Sequence, residues 1–248
     1  LMGRYGVALA HQAMQGHPIP ARQDVPLDLI THDSFGQRIA LTLSEMTNPF
    51  FVTLFKGARA QAELHGVELL HADANNDDAQ QLVAIQRFIE QKVAFLIINP
   101  TNSQAVQPGI ELAHRAGIPV ITVDRREDSG QITSHIASDN VAGGRLAAKY
   151  LIQKLPKGGV IAEFEGIPGT SASYERSKGF NDAMAEYGNL RITTREVANF
   201  SRDEARAAMQ RLLAENQTFD AVFAHNDNMI LGVMDALQAA PPAQRPLL

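Results

Sequence analysis

Apolar and polar residues alternate along this chain with two periods, one typical of buried strands and the other of amphipathic helices. Ala94–Asn99 (AFLIIN) is a short apolar run, as expected for a parallel strand that is covered on both faces. In Pro49–His65 the apolar residues recur at helical spacing, with Asn48 placed to cap the helix and Gly66 to end it. This succession of strand and helix predicts an α/β protein with parallel sheets that are flanked by helices.

The predicted elements follow one another from Arg38 to Ala239. The predicted strands are Arg38–Ser44, Val67–Ala72, Ala94–Asn99, Ile118–Asp124, Val160–Phe164, Leu190–Val197 and Phe219–Ala224. The predicted helices are Pro49–His65, one that is opened by Asp77 and Asp78, Gln104–Ala116, Val141–Leu155, Ala172–Tyr187, Arg202–Glu215 and Asn228–Ala239.

A polar, turn-rich segment, Arg125–Ser138, interrupts this rhythm and predicts two Rossmann-like lobes. We expect a first lobe over residues 1–124, an inter-lobe crossing over 125–138 and a second lobe over 139–248. Within residues 1–36 the pattern predicts a helix, a turn and then a strand, so that a helix comes before any strand. At the other end, RPLL has the pattern of a strand that is cut off as it starts.

The composition and charge of the chain argue against several classes of function. The chain has 248 residues, of which 45% are hydrophobic, and its net charge is −5 without a basic stripe, which argues against nucleic-acid binding. It has no cysteine, so disulfides and thiolate metal sites are excluded. No apolar run reaches the roughly 18 residues that span a bilayer. The opening stretch lacks a long apolar core, so we do not expect it to be a signal peptide.

Residues that directly follow the predicted strands are candidates for a ligand site, because ligands of open parallel sheets bind beyond the carboxyl ends of the strands. In the first lobe these candidates are Asn48, Phe50, Phe51, Asp124 and Arg125.

The second lobe supplies Ile167, Phe200 and Asn226 by the same rule, and Arg176 follows Ile167 further along the chain. Carboxylate, guanidinium and amide groups pair with hydroxyls, while phenyl rings pack against the apolar C–H faces of a sugar ring. The two sets together favour a site for a neutral monosaccharide.

Each candidate also has an ordinary structural interpretation. Asn48 suits a helix N-cap, and Phe200, which follows a strand, suits a residue that fills the edge of its lobe. Asp124 and Arg125 suit an exposed ion pair, and a helical Arg176 suits a solvated surface. Phe50 and Phe51 are adjacent on a helix, so both cannot face inward.

Enzyme, metal and cofactor interpretations find little support. The turn Gly166–Ser171 lacks the spacing and the lysine of a phosphate-binding loop, and there is no G-x-S-x-G elbow. The eight histidines have no metal-ligand spacing, so we expect no metal and no cofactor. His225 is expected to line or support a site rather than to act as a base.

Six runs of residues together resemble the periplasmic ribose-type sugar-binding proteins of ABC importers. They are Thr47–Phe51 (TNPFF), Ile97–Val106 (IINPTNSQAV), Ile118–Arg125 (IPVITVDR), Ser134–Gly144 (SHIASDNVAGG), Glu165–Phe180 (EGIPGTSASYERSKGF) and Ala221–Met229 (AVFAHNDNM). The resemblance covers nearly all of Arg38–Leu248 and implies the type I periplasmic binding protein fold. It implies sugar contacts from both lobes, and it adds Ser138 to the candidates named above.

The order of segments departs from the family. Residues 1–36 resemble its C-terminal helix and final strand, here placed in front, so the chain looks circularly permuted. A strand–helix–strand unit of roughly 30 residues, with an expected Asp and Gln, has no counterpart, so we expect an incomplete second lobe.

The resemblance implies that the protein binds D-ribose or a similar pentose in a cleft between the lobes, without catalysis. The lobes would close about a hinge, and a permease or a chemoreceptor would receive the closed form in the periplasm. Two alternatives stay open. One is the effector-binding core of a sugar-responsive transcription regulator, although the chain has no helix-turn-helix, and the other is an enzyme on a doubly wound sheet.

Overall fold

The structure, a computed structural model, divides into two compact units, Leu1–Ser138 and Asp139–Leu248. The residues it describes are 12, 38–128, 132–187, 189–238, 240–241 and 245–248. Apart from residue 12, which is helical, the predicted helix and strand within residues 1–36 therefore lie outside the described residues, and the predicted permutation stays a prediction.

In the first unit the described strands form one parallel sheet with the order β2-β1-β3-β4-β5. In chain order its elements are β1 (Arg38–Leu43), α1 (Pro49–Leu64), β2 (Glu68–Asp73), α2 (Asp78–Glu90), β3 (Phe95–Ile98), α3 (Gln107–Arg115), β4 (Val120–Val123) and β5 (Ser134–Ile136).

Both faces of this sheet are covered, which explains why its central strands are almost wholly apolar. Every residue of β3 and β4 is buried. One face packs against α1 through residues such as Leu54 and Ala58, and the other packs against α2 and α3 through Ile85, Phe88 and Ile110. Burial on two faces is the usual state of parallel strands, and it predicts the near-continuous apolar runs of the sequence.

The described strands of the second unit form a parallel sheet with the order β7-β6-β8. In chain order the elements are α4 (Asn140–Lys154), β6 (Gly159–Glu165), α5 (Ser171–Tyr187), β7 (Leu190–Val197), α6 (Arg202–Ala214), β8 (Ala221–Ala224) and α7 (Asp227–Leu237). Near the end of the chain, Leu247 forms a single parallel bridge with Ala221.

Most predicted elements are present with ends shifted by a few residues, but the segment Arg125–Ser138 contains a strand that was not predicted. It contains β5, which pairs in parallel with β4. The strand has three residues, and its sequence SHI is too short and too polar to show a strand period. Its backbone pairing with β4 stabilises it instead. Whether this segment crosses between lobes stays a prediction.

Helix α3 also begins later than its predicted start at Gln104. The side-chain oxygen of Asn102 accepts hydrogen bonds from the backbone N–H groups of Gln104 and Ala105, which forms a turn ahead of the helix. An Asn side chain competes in this way with helical hydrogen bonding.

Glycine allows helices α4 and α5 to pack backbone to backbone. A Cβ atom added at Gly144 would lie 2.1 Å from the carbonyl oxygen of Arg176, and one added at Gly179 would lie 2.0 Å from that of Val141. By contrast, a Cβ at Gly143 would meet nothing within 4 Å. The position of α5 over the sheet therefore depends on the absence of side chains at this crossing.

We expect Gly144→Ala to lower the free energy of unfolding by about 1–3 kcal/mol, because the methyl group forces two backbones apart. The neighbouring Gly143→Ala is the matched control. It adds the same methyl group in open space and should raise stability by about 0.5–1 kcal/mol through better helix propensity. Urea denaturation of the two variants checks this, and equal effects would contradict the tight crossing.

Candidate functional site

In the first unit, Asn48 and the two phenylalanines that follow it lie at the carboxyl end of β1. The side chain of Asn48 caps α1 and accepts a hydrogen bond from the backbone N–H of Phe50 at 2.9 Å. Phe51 is buried in the core, whereas Phe50 is 43% exposed. The two rings meet edge to face, with centroids 5.2 Å apart. Phe50 thus presents an apolar ring outside the core of the unit.

Asp124 follows β4 in a left-handed backbone conformation, with φ of 63°. The Nδ2 of Asn99 donates to the backbone carbonyl of Val123 at 3.0 Å and lies 3.4 Å from Oδ2 of Asp124. The Oδ1 of Asn99 accepts from the backbone N–H of Ser44 at 3.1 Å. One buried amide therefore joins the ends of β1, β3 and β4 and holds the Asp124 carboxylate.

Arg125 is buried, so its interpretation as half of an exposed ion pair is wrong. Its guanidinium donates to the backbone carbonyl of Pro100 at 3.2 Å and lies 5.4 Å from the centre of the Phe51 ring. The structure thus brings Asn48, Phe50, Phe51, Asp124 and Arg125 to one edge of the first sheet. Ser138 is exposed and follows β5 at the end of the unit.

In the second unit, Arg176 lies on α5 and is held at several points. Its Nε donates to Oδ1 of Asn140 at 2.9 Å, and its Nη1 donates to the backbone carbonyl of His225. The guanidinium carbon lies 5.9 Å from the centre of the Phe200 ring. Its interpretation as a freely solvated charge is therefore wrong, because the side chain is fixed at the carboxyl ends of β6 and β8.

Phe200 and Asn226 complete this second edge. Asn226 caps α7 by accepting from the backbone N–H of Met229 at 2.9 Å, and its Nδ2 donates to the carbonyl of Phe200 at 3.2 Å. The Phe200 ring lies over Gly166, where an added Cβ would come within 2.1 Å of it. Ile167 is partly buried and packs against the same apolar cluster as Phe200.

Behind this edge lies a buried carboxylate, Glu163, which the sequence did not single out. Its side chain is fully buried, and its two oxygens lie within hydrogen-bond distance of donors on four other side chains. These donors are Nε2 of His225 (3.1 Å), Oγ of Ser177 (2.8 Å), Nδ2 of Asn181 (3.3 Å) and Nε of Arg195 (3.0 Å). Burial alone would raise the pKa of Glu163, but the hydrogen bonds from His225, Ser177 and Asn181 hold this pKa below its ordinary value.

Acid should therefore destabilise the protein in part through Glu163. A carboxylate whose pKa is lowered by folding contributes stability above its unfolded pKa, and this contribution is lost as pH falls through the folded pKa. We expect the free energy of unfolding of the wild type to fall more steeply between about pH 5 and 3 than that of Glu163→Gln, which cannot titrate.

Urea denaturation across this pH range measures the difference. Ser177→Ala, which removes one donor and keeps the carboxylate, should give an intermediate slope. Parallel curves for the wild type and Glu163→Gln would show that the carboxylate is not held in its ionised form.

Comparison with known proteins identifies the family. Residues 39–247 match the family model described as a periplasmic binding protein domain. The chain belongs to this family, and the predicted α/β fold class with parallel sheets is confirmed.

Among its relatives are ribose import binding proteins. The chain is 40% identical over 202 residues to RbsB of Bacillus subtilis (strain 168), which covers 82% of this chain and 66% of that protein. The chain is also 42% identical over 202 residues to RbsB of Escherichia coli (strain K12), and this match covers 82% of this chain and 68% of that protein. The chain therefore spans about two thirds of the length of these curated relatives.

Solved structures with bound sugars share the fold. A periplasmic binding protein of the arabinose ABC transporter from Shewanella sp. ANA-3, bound to L-arabinofuranose, has a TM-score of 0.78 at 32% identity, covering 82% of this chain and 69% of that one. A solute-binding protein from Actinobacillus succinogenes 130z with bound D-allose has a TM-score of 0.75 at 31% identity, covering 82% and 74%.

The described residues also bear on metal binding and on membrane insertion. They contain no group of three or more histidine, aspartate or glutamate side chains placed to hold a metal ion. None of the helices in the described part of the chain is both long and apolar enough to span a membrane.

Proposed function

We propose that this protein binds a monosaccharide, a pentose such as D-ribose, and delivers it to the permease of an ABC importer in the periplasm without catalysing a reaction. Delivery to a chemoreceptor is a second use of the same bound form. The observation that carries the proposal is the arrangement of Asp124, Arg125, Arg176 and Asn226 with phenyl rings at the carboxyl edges of the two sheets. The prediction that one sugar contacts residues of both units is part of this proposal.

The side chains at these edges have the chemistry that a neutral sugar needs. Arg176 uses two of its five N–H donors within the protein, which leaves three for sugar hydroxyls. The Asp124 carboxylate supplies acceptors, and the exposed ring of Phe50 supplies an apolar surface for C–H groups. Because Asn99 and Asn140 already hold the charged groups, little side-chain entropy is lost on binding.

The choice of ribose and of an importer rests on the relatives. The two curated proteins above are named ribose import binding proteins, and a relative from Pseudomonas aeruginosa, 31% identical over 213 residues, is named a D-ribose/D-allose-binding protein. Relatives that are named for binding a sugar, rather than for transforming one, also support a role without catalysis.

A panel of pentoses and hexoses tests the proposal by thermal shift. A sugar at 100 times its Kd stabilises the folded form by about 2.7 kcal/mol, which for a protein of this size raises Tm by roughly 5–10 °C. We expect ribose to give the largest shift in the panel. A panel in which no sugar raises Tm would contradict sugar binding.

Arg176→Ala should weaken ribose binding at least about 100-fold, because two charge-assisted hydrogen bonds at about 1.5–3 kcal/mol each are lost. Isothermal titration calorimetry measures the change. Arg211→Ala is the matched control, since it removes an arginine from a surface ion pair with Glu196 in the same unit. Equal affinities for the wild type and Arg176→Ala would remove Arg176 from the site.

A further inference from the structure

His225 is a buried histidine that the proposed contacts with sugar do not use. It directly follows β8, and its backbone N–H donates to the carbonyl of Phe164 at 3.0 Å, which continues the pairing of β8 with β6. The backbone N–H of Gly166 donates to Nδ1 of His225 at 3.2 Å. Nδ1 is therefore the acceptor of the ring, so Nε2 carries the hydrogen and donates it to Glu163 at 3.1 Å.

The Glu163 side chain also connects His225 to a polar stripe on helix α5. Ser173, Ser177 and Asn181 are spaced four residues apart, so they lie on one face of the helix. Ser177 and Asn181 bond the Glu163 carboxylate, and Oγ of Ser173 lies 3.3 Å from Nδ1 of His225. All three polar members of this face are therefore joined to the His225–Glu163 pair.

Arg176 lies on α5 between Ser173 and Ser177 in the sequence, so this stripe sets the direction in which the Arg176 side chain extends. A helix that is fixed along one face cannot rotate about its axis, and the glycine crossing with α4 limits its translation. The carbonyl of His225 also accepts from Nη1 of Arg176. The same residue thus acts on the guanidinium twice, once through the helix and once directly.

We propose that the His225–Glu163 pair is a positioning device that orients Arg176 for the sugar, with the Nε2–Glu163 hydrogen bond as its essential link. This inference rests on the proposed function for its effect on affinity. It does not make either residue a contact of the sugar.

Two substitutions of His225 separate this link from general packing. In His225→Gln the amide nitrogen occupies roughly the place of Nε2 and keeps the donation to Glu163. In His225→Asn the shorter side chain reaches roughly the place of Nδ1, so that it keeps an acceptor for Gly166 but loses the link to Glu163. We expect the Gln variant to bind ribose within about 3-fold of the wild type, and the Asn variant to bind at least about 10-fold more weakly.

The control for stability is Leu212→Ala, which opens a cavity in the core beside α6 without touching the stripe. It should lower Tm and leave the ribose Kd unchanged. If His225→Asn binds as tightly as the wild type, or if the Gln variant loses as much affinity as the Asn variant, the pair does not position Arg176.

A second measurement needs no sugar. The Nε–H signal of Arg176 in nuclear magnetic resonance reports its bond to Asn140, and it should be protected from exchange with water in the wild type and in His225→Gln. In His225→Asn this protection should be lost, and in Leu212→Ala it should remain. If the wild type binds no sugar, the proposed function fails, but this comparison still tests whether His225 and Glu163 position Arg176. Unchanged protection of the Arg176 Nε–H in His225→Asn would overturn the positioning proposal.

Discussion

Parallel pairing of strands that are buried on both faces is the constraint from which the site follows. The central strands β3 and β4 carry almost no polar side chains within them, so polar groups collect where these strands end. At that edge each polar group still needs a partner, because an unpaired buried amide or carboxylate is strongly destabilising. The first unit meets this need with Asn99, and the second meets it with His225 and Glu163. Groups that satisfy the strand ends therefore also hold the side chains that are proposed to contact the sugar.

In the second unit, polar groups also fix the position of helix α5, at some distance from the carboxyl edge of the sheet. Helix α5 lies against the sheet through a stripe of hydroxyl and amide groups as well as through apolar residues such as Phe180 and Ala183. Apolar packing alone tolerates small rotations of a helix, whereas hydrogen bonds to a fixed carboxylate do not. The orientation of Arg176 on this helix is consequently defined by contacts of Ser177 and Asn181, which lie within about two turns of it.

The sequence predicted the order of strands and helices well, because local periodicity depends only on neighbouring residues. It missed β5, whose three residues are a strand only because β4 pairs with them. It also missed Asn99 and Glu163 as parts of the candidate site. Asn99 was the last residue of a predicted apolar strand, and Glu163 was the single charged residue of another predicted strand. Neither residue belonged to a local sequence motif. The partners of Glu163 lie 14 to 62 residues away along the chain, and only the fold brings them together.

The contact between Gly166 and Phe200 limits how this edge of the second unit can be redesigned. The Phe200 ring occupies the space that any side chain at position 166 would need. Substitutions at the two positions must therefore be strongly coupled, and alanine at 166 becomes tolerable only after the ring at 200 is made smaller. A library that varies position 166 by itself would return misfolded members, whereas one that varies both positions together would also return folded ones.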